Sequence, residues 1–409
     1  MTRERRSALG NRRDEILATA AQLFATSGFR LSLQEIADAC GILAGSLYHH
    51  FDSKEAIVAE LLARYRADLE ALASRPQDSA DAGDLDRIAG FAEAIVACAT
   101  SHKAALLQTL YMAEQAGGAS SSRFTPAAIV GKMESILRRA QAGGYLKSTA
   151  DLPKLAIQLC ESMFHFGLGT YHMRPEALHV PRTKCLMLLE GLAKHAPDND
   201  RLDSSEAFRI AQEVIAGWGE PEDSDQLAAL KAAARKQFSR RSFEAATIRD
   251  VASAANMSTS VIYRLAGSKD KLLDLVMQPY TAAVNESWDA LLQSSSSTIE
   301  KLDAMIWINI NLLDRFSDES MIQIAWLREA PPQPWADFAG FAKRLRQLRD
   351  LLEVGESEGV LHQPGPGLDV RAHCLLELSW IPRIITLGDG LRTALAQARE
   401  TLLRGAANR

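Results

Sequence analysis

Much that would point to an enzyme, a secreted protein or a membrane protein is missing from this 409-residue chain. Its five cysteines (Cys40, Cys98, Cys160, Cys185 and Cys374) stand singly, with no Cys-x-x-Cys pair. An odd, scattered set argues for buried reduced thiols rather than a disulfide frame or a zinc site. His165 and His172 lie seven apart with Cys160 nearby, but lack tight ligand spacing and read as packing rather than metal ligands. No stretch approaches the ~18 uninterrupted apolar residues of a membrane span. The basic N-terminus has no apolar core and does not read as a signal peptide. There is no Gly-x-Ser-x-Gly elbow, phosphate loop, dinucleotide fingerprint or His-Glu-x-x-His. An enzyme therefore has little to stand on, and no cofactor or metal is expected. The period-2 alternation of strands is absent too, and Pro and Gly punctuate helical stretches, which predicts an all-α protein.

Positive charge is also short overall, with a formal net charge of −5. Its distribution is uneven. Residues 1–66 carry nine Lys/Arg against eight Asp/Glu, while residues 227–280 carry nine against four. Two segments are thus basic relative to an acidic remainder, so any footprint for phosphates is local.

What is present is a repeat. Residues 32–54 (SLQEIADACGILAGSLYHHFDSK) match residues 247–269 (TIRDVASAANMSTSVIYRLAGSK) at an offset of 215. Upstream, Phe24 and Phe29 fall on Phe238 and Phe243. Downstream, Gly144-Tyr145-Leu146 falls on Gly359-Val360-Leu361, so the duplication extends over the full length. The join lies in the polar stretch from about Ala196 to Asp225, with room for one short helix at Glu206 to Ala216. A repeat of this length is no short-period helical solenoid.

Within the repeat, Ile16, Ala20, Leu23 and Phe24 form one helical stripe, and Leu33, Ile36, Ala37 and Cys40 a second. Ser32-Leu33-Gln34-Glu35 has capping-box chemistry, echoed by Thr247-Ile248-Arg249-Asp250. Gly41 stands where a left-handed C-cap is wanted, and Asn256 replaces it in the second copy. A third helix follows from about Ala44 to His50, joined by a three- to four-residue turn, the form of a helix-turn-helix. Pro279 predicts a kinked or shortened fourth helix in the second copy.

Together Phe24 to Phe29, Ser32 to Ala37 and the run Cys40-Gly41-Ile42-Leu43-Ala44-Gly45-Ser46-Leu47-Tyr48-His49-His50-Phe51-Asp52-Ser53-Lys54-Glu55 resemble the TetR family of transcriptional regulators. The second copy departs from that pattern at Tyr263-Arg264-Leu265-Ala266, and the first at Leu43, where a Ser/Thr N-cap is usual. The resemblance implies two helix-turn-helix DNA-binding heads, at residues 1–75 and 226–285. It also implies helical regulatory domains at 76–200 and 286–409, a linker at 201–225, and pairing of the halves as an internal pseudo-dimer. Expected partners are a double-stranded DNA operator and a small-molecule effector, in the cytoplasm and without a membrane, with a further homodimer left open.

Small and polar side chains on the third helix suit base edges, which nominates Ala44, Gly45, Ser46 and His49, and Thr259, Ser260 and Arg264. Tyr48 and Tyr263 are either core aromatics or phosphate contacts. Lys54 and Lys269 oppose the macrodipole of the helix they start, a conflict that a phosphate seated there would remove. An arm carrying Arg3, Arg5, Arg6, Arg12 and Arg13 is a candidate for the minor groove or merely a solubilising tail. In the regulatory halves Phe91, Tyr111, Met112, Met163, Phe166, Trp307, Trp326 and Trp380 are candidate ligand contacts, with plain core packing the alternative for each. Some double-length members of the family govern lipid or steroid uptake genes, which implies an apolar effector. The competing function is a ligand-sensing or scaffold protein whose second head is degenerate.

Overall fold

The computed structural model describes residues 3–408 except 28, 30, 77–81, 116–124, 170–174, 220–222, 242, 329–339 and 386–388. Among the described residues no helix is long and apolar enough to cross a membrane. The first head consists of α1 (Arg3–Ser27), α2 (Leu33–Ala39), α3 (Ala44–Tyr48) and the start of α4 (Lys54–Ser74). Ile16, Ala20 and Phe24 of the predicted stripe are buried and meet Ile36, Ala37, Leu47, Phe51 and Ile57 in a small core of their own. The Ser32–Glu35 capping box closes in both directions, satisfying two of the amide donors that a helix start leaves orphaned. Helix α1 begins at Arg3, so the segment expected to be a minor-groove arm or a solubilising tail is helical backbone; the side chains of Arg3, Arg5 and Arg6 lie outside the described residues. Arg13 is a structural residue. Its guanidinium pairs with Glu60, donates to the His50 carbonyl and covers the Phe51 ring at 4.0 Å.

The region expected to form the first regulatory domain follows as α5 (Asp84–Ser101), α6 (Lys103–Gln115), α7 (Ala127–Ala142), α8 (Leu152–Leu168) and α9 (Val180–Glu190). Two helices then cross the expected linker, α10 (Asn199–Asp203) and α11 (Glu206–Ala216). That segment is no free tether. Leu202, Ala207, Phe208 and Ala211 form a buried stripe within its polar composition, and Phe208 stacks on Trp307 at 5.7 Å.

The second unit repeats the first: α12 (Asp225–Arg241), α13 (Ile248–Ala255), α14 (Thr259–Ala266), α15 (Lys269–Gln293), α16 (Thr298–Arg315), α17 (Ser317–Arg328), α18 (Phe341–Ser357), α19 (Leu368–Leu378), α20 (Ile381–Ile385) and α21 (Leu391–Ala398). From α2 against α13 to α8 against α19, each start is displaced by 214 to 216 residues, as 33 against 248 and 152 against 368 show. Helix α15 runs on through Pro279 to a length of 25 residues, so of the kink or shortening expected there, the shortening does not occur. Proline forfeits one ladder bond, while the buried Val276, Met277, Tyr280, Val284 and Trp288 on either side hold the helix in place.

The two halves join along a short seam with approximate two-fold symmetry. Single antiparallel bridges link Leu146 to Ala407 and Ala193 to Leu361; each couples the turn after the third regulatory helix of one unit to the tail of the other. Backbone hydrogen bonds come in matching pairs. Leu192 N donates to Leu402 O at 2.8 Å and Ala406 N to Leu188 O at 3.2 Å; Ala193 N donates to Leu403 O at 3.0 Å and Ala407 N to Leu189 O at 2.7 Å. Farther out, Lys194 N to Val360 O at 3.0 Å mirrors Asn408 N to Tyr145 O at 2.8 Å. Near the axis Gly191 and Gly405 have φ of +72° and +75°, and a Cβ on Gly191 would fall 2.5 Å from the Gly405 nitrogen. Only glycine combines that backbone with that approach. This is an isologous interface written within one polypeptide. One ion pair breaks the symmetry: Lys184 on α9, fully buried, bonds Glu377 on α19.

Candidate nucleic-acid interface

Each recognition helix is launched from a left-handed residue. Gly41 has φ +63° and Asn256 has φ 52°, ψ 44°, so the asparagine reproduces the turn that glycine makes in the first head. The helices that follow differ in quality. Helix α14 has eight residues and the Ser258 hydroxyl accepting from the Val261 amide at 3.4 Å. Helix α3 has five, with Leu43 at the cap position making no side-chain bond. It ends at Tyr48, two residues short of the expected His50. Leu47 and Ile262 anchor the two helices inward.

The outward faces are free. Gly45, Ser46 and His49 are exposed and Ala44 half-buried in the first head; Thr259, Ser260 and Arg264 are exposed in the second. Tyr48 and Tyr263 are 53% and 54% exposed. Buried core aromatics would not look like this, so of the two readings the outward one fits. The near-identical exposure of the two tyrosines gives the heads a common surface despite their different sequences.

Lys54 and Lys269 are placed otherwise than a lysine waiting for phosphate. Lys54 Nζ donates to the Phe29 carbonyl at 3.0 Å, and Lys269 Nζ to the carbonyl of Glu244, one residue past Phe243, at 3.4 Å while lying 4.2 Å from the centre of the Phe243 ring. Each ties the start of its helix to the turn between the first two helices, and that bond answers the unfavourable macrodipole. The helix starts are capped by Ser53 and Ser268, which accept from Ala56 N and Lys271 N at 3.1 Å. An ammonium has three donors, so one internal bond does not consume it. In the second head Asp250 closes the capping box and pairs with Arg241 at 2.7 Å. Hydrogen bonds from Thr247, with Arg241 beside them, bring its carboxyl down to about 2.

The aromatic candidates behind the heads scatter. Phe91, Met163 and Phe166 are buried in the packed core of the first regulatory domain. The side chains of Tyr111 and Met112 lie outside the described residues. Trp307 is committed to Phe208, and Trp326 is buried on α17. Trp380 does line a small, partly open cavity between α15, α16, α17, α18 and the end of α19. Its apolar wall includes Val284, Leu312, Ile324, Phe341 and Leu376; its polar groups are Tyr280, Asn309, Ser320, Gln323, Arg344 and Glu377. Sequence reading missed these polar residues because their signal is a contrast between the halves. Asn309, Ser320 and Arg344 occupy the helix positions of Ile95, Leu106 and Val130 in the first unit.

Helix α17 connects this cavity to the second head. Asp318 accepts from Ser239 Oγ at 2.8 Å and Glu319 pairs with Arg235 at 2.5 Å, both partners lying on α12. The next turn, Ser320 to Ile324, faces the cavity. His165 stands edge-on to Trp380 at 5.0 Å, a packing role, and among the described residues no group of three or more His, Cys, Asp or Glu could hold a metal. All five cysteines are free; Cys40 and Cys98 are half-buried rather than buried as expected.

The sequence pattern of bacterial regulatory proteins, tetR family, matches residues 16–61 and again 230–276. The HTH-type transcriptional repressor KstR2 of Mycobacterium tuberculosis is 41% identical over 120 residues, covering 29% of this chain and 58% of that protein. KstR2 of Rhodococcus jostii is 55% identical over 64 residues, 15% of this chain and 31% of that protein. The chain therefore spans about a third to somewhat over half the length of these relatives. A solved Clostridium perfringens structure described as a fatty acid metabolism regulator covers 44% of this chain and all of that one, at 16% identity and a TM-score of 0.37; so loose a likeness bears on nothing further.

Proposed function

Because the chain belongs to the TetR family and carries two of its units in tandem, we propose that it is a transcriptional repressor whose two heads grip an asymmetric DNA operator and whose grip is released by a small, largely apolar effector. The observation that carries this is the pair of outward recognition faces, each with a half-exposed tyrosine, on units joined by a two-fold seam. Two-fold heads read two half-sites a whole number of helical turns apart. The faces are not equal, however. Arg264 stands where the first head has His49, and Thr259 and Ser260 where it has Ala44 and Gly45. Arginine can bind guanine bidentately and histidine cannot, so the two half-sites differ. The capped, exposed helix α14 speaks against a degenerate second head.

Release follows if effector binding favours a conformer whose heads no longer match the half-site spacing. The α17 contacts supply the linkage, since one helix touches both the cavity and α12. An apolar, lipid- or steroid-like body suits the apolar wall. The test is competition between the native operator and two palindromes, each built from one half-site. Each palindrome misreads one half, at about 1–3 kcal/mol per poorly read base pair, so both should bind more weakly. A palindrome that matches the native site at physiological salt refutes asymmetric readout.

A further inference from the structure

Arg344 is the anomaly of the second regulatory domain. It lies on α18 with only 4% of its surface exposed, lines the cavity, and leaves a guanidinium nitrogen buried without a hydrogen-bond partner. Burying a charge without a partner is costly, and here burial lowers the guanidinium's affinity for its proton. The other charged groups nearby are already answered. Glu377, the one carboxylate among the described residues of the cavity wall, is held by Lys184 and lies 3.1 Å from His373; burial pushes its carboxyl up, but the Lys184 ammonium and the His373 contact outweigh this and hold it well below the usual carboxylate range. Glu319 belongs to Arg235. The Tyr280 hydroxyl is directed to Gln323. Among the described lining residues, one cation is therefore left without a counter-charge, beside the neutral Tyr280, Asn309, Ser320 and Gln323. The first unit has Val130 at that helix position, so the duplication did not require a cation there.

We propose that this cavity takes an amphiphilic carboxylate, its apolar body against Leu312, Ile324, Phe341 and Trp380 and its anionic end on Arg344. The proposal rests on the effector reading above and adds a charge to it. A guanidinium fork matches a carboxylate in a bidentate pair, and neutral analogues leave that donor set unpaired, which sites built for polar groups reject most strongly. The first unit, lacking the cation, does not share this preference.

The experiment uses the full chain, with direct calorimetric titration and release from operator DNA read in parallel. The probes are two acid–alcohol pairs, decanoate with decanol and 2-naphthylacetate with 2-naphthylethanol. Acids should bind at least tenfold more tightly than their alcohols in at least one pair. Arg344→Met should abolish that preference while preserving alcohol binding, and Arg344→Lys should keep part of it. Arg344→Met removes a buried unpaired charge and should melt no lower than the parent, which checks its folding. Alcohols binding and releasing DNA as well as acids would overturn the anionic preference yet uphold the effector reading. Binding by neither class, with DNA binding intact, would also overturn the proposal. A preference for acids that survives in Arg344→Met would do so as well, by placing the anion elsewhere. Failure to bind any DNA would instead strike the repressor reading, leaving the titration to judge the cavity.

Discussion

Substituting Gly191 by alanine probes the seam where it has least room. Its φ of +72° and ψ of 168° lie in a region essentially reserved for glycine, which costs another residue on the order of 1–3 kcal/mol. The added Cβ would also meet Gly405 N at 2.5 Å and Leu403 O at 2.6 Å, backbone atoms that cannot rotate away. Relief requires the two tails to part, which gives up the bonds from Leu192 N to Leu402 O and from Ala193 N to Leu403 O, at about 0.5–1.5 kcal/mol each. The total is roughly 2–6 kcal/mol. Gly144 is the control, because its φ is +81° and nothing lies within 4 Å of an added Cβ. Gly144→Ala therefore carries only the backbone term, and urea unfolding followed by tryptophan fluorescence should separate the variants by about 1–3 kcal/mol. If the two variants unfold at the same urea concentration, the close approach of the tails is wrong.

Two further expectations concern the heads. Asp250 has a carboxyl depressed to about 2, so its contribution is present above the unfolded value near 4 and is lost as pH falls toward 2; Asp250→Asn should flatten the second head's acid melting between those limits, and an unchanged profile would contradict the assignment. Leu43 is 79% exposed at an uncapped helix start, so Leu43→Ser should stabilise the first head by ~1 kcal/mol, and a lowered melting temperature would show that the leucine has another role.

The sequence made the heads legible because their chemistry is local. A capping box, a left-handed residue at the turn and a helical stripe each fall within a few residues, and both copies repeat them. Lys54 was harder. The conflict with its helix dipole was visible in the sequence, but the carbonyl that resolves it belongs to Phe29, brought near only by the fold. The polar stretch around Phe208 concealed a buried stripe, since only three residues of α11, Ala207, Phe208 and Ala211, are buried. Pro279 does not shorten its helix, because tertiary burial on both sides holds what local propensity disfavours. The cavity was least legible of all. Arg344 sits in an ordinary amphipathic run, Phe341-Ala342-Lys343-Arg344-Leu345-Arg346, and only packing reveals which of its three cations points inward.

The paired seam bonds carry a genetic consequence. In a dimer of identical chains every mutation appears twice, so a change that favours one partner is imposed on the other. Here Gly191 and Gly405 are separate codons, as are Val130 and Arg344. Selection can hold the first pair alike while letting the second diverge, so one half can specialise in sensing without its twin following. The tether also makes assembly independent of expression level, because each half meets its partner at a concentration fixed by the chain rather than by the cell.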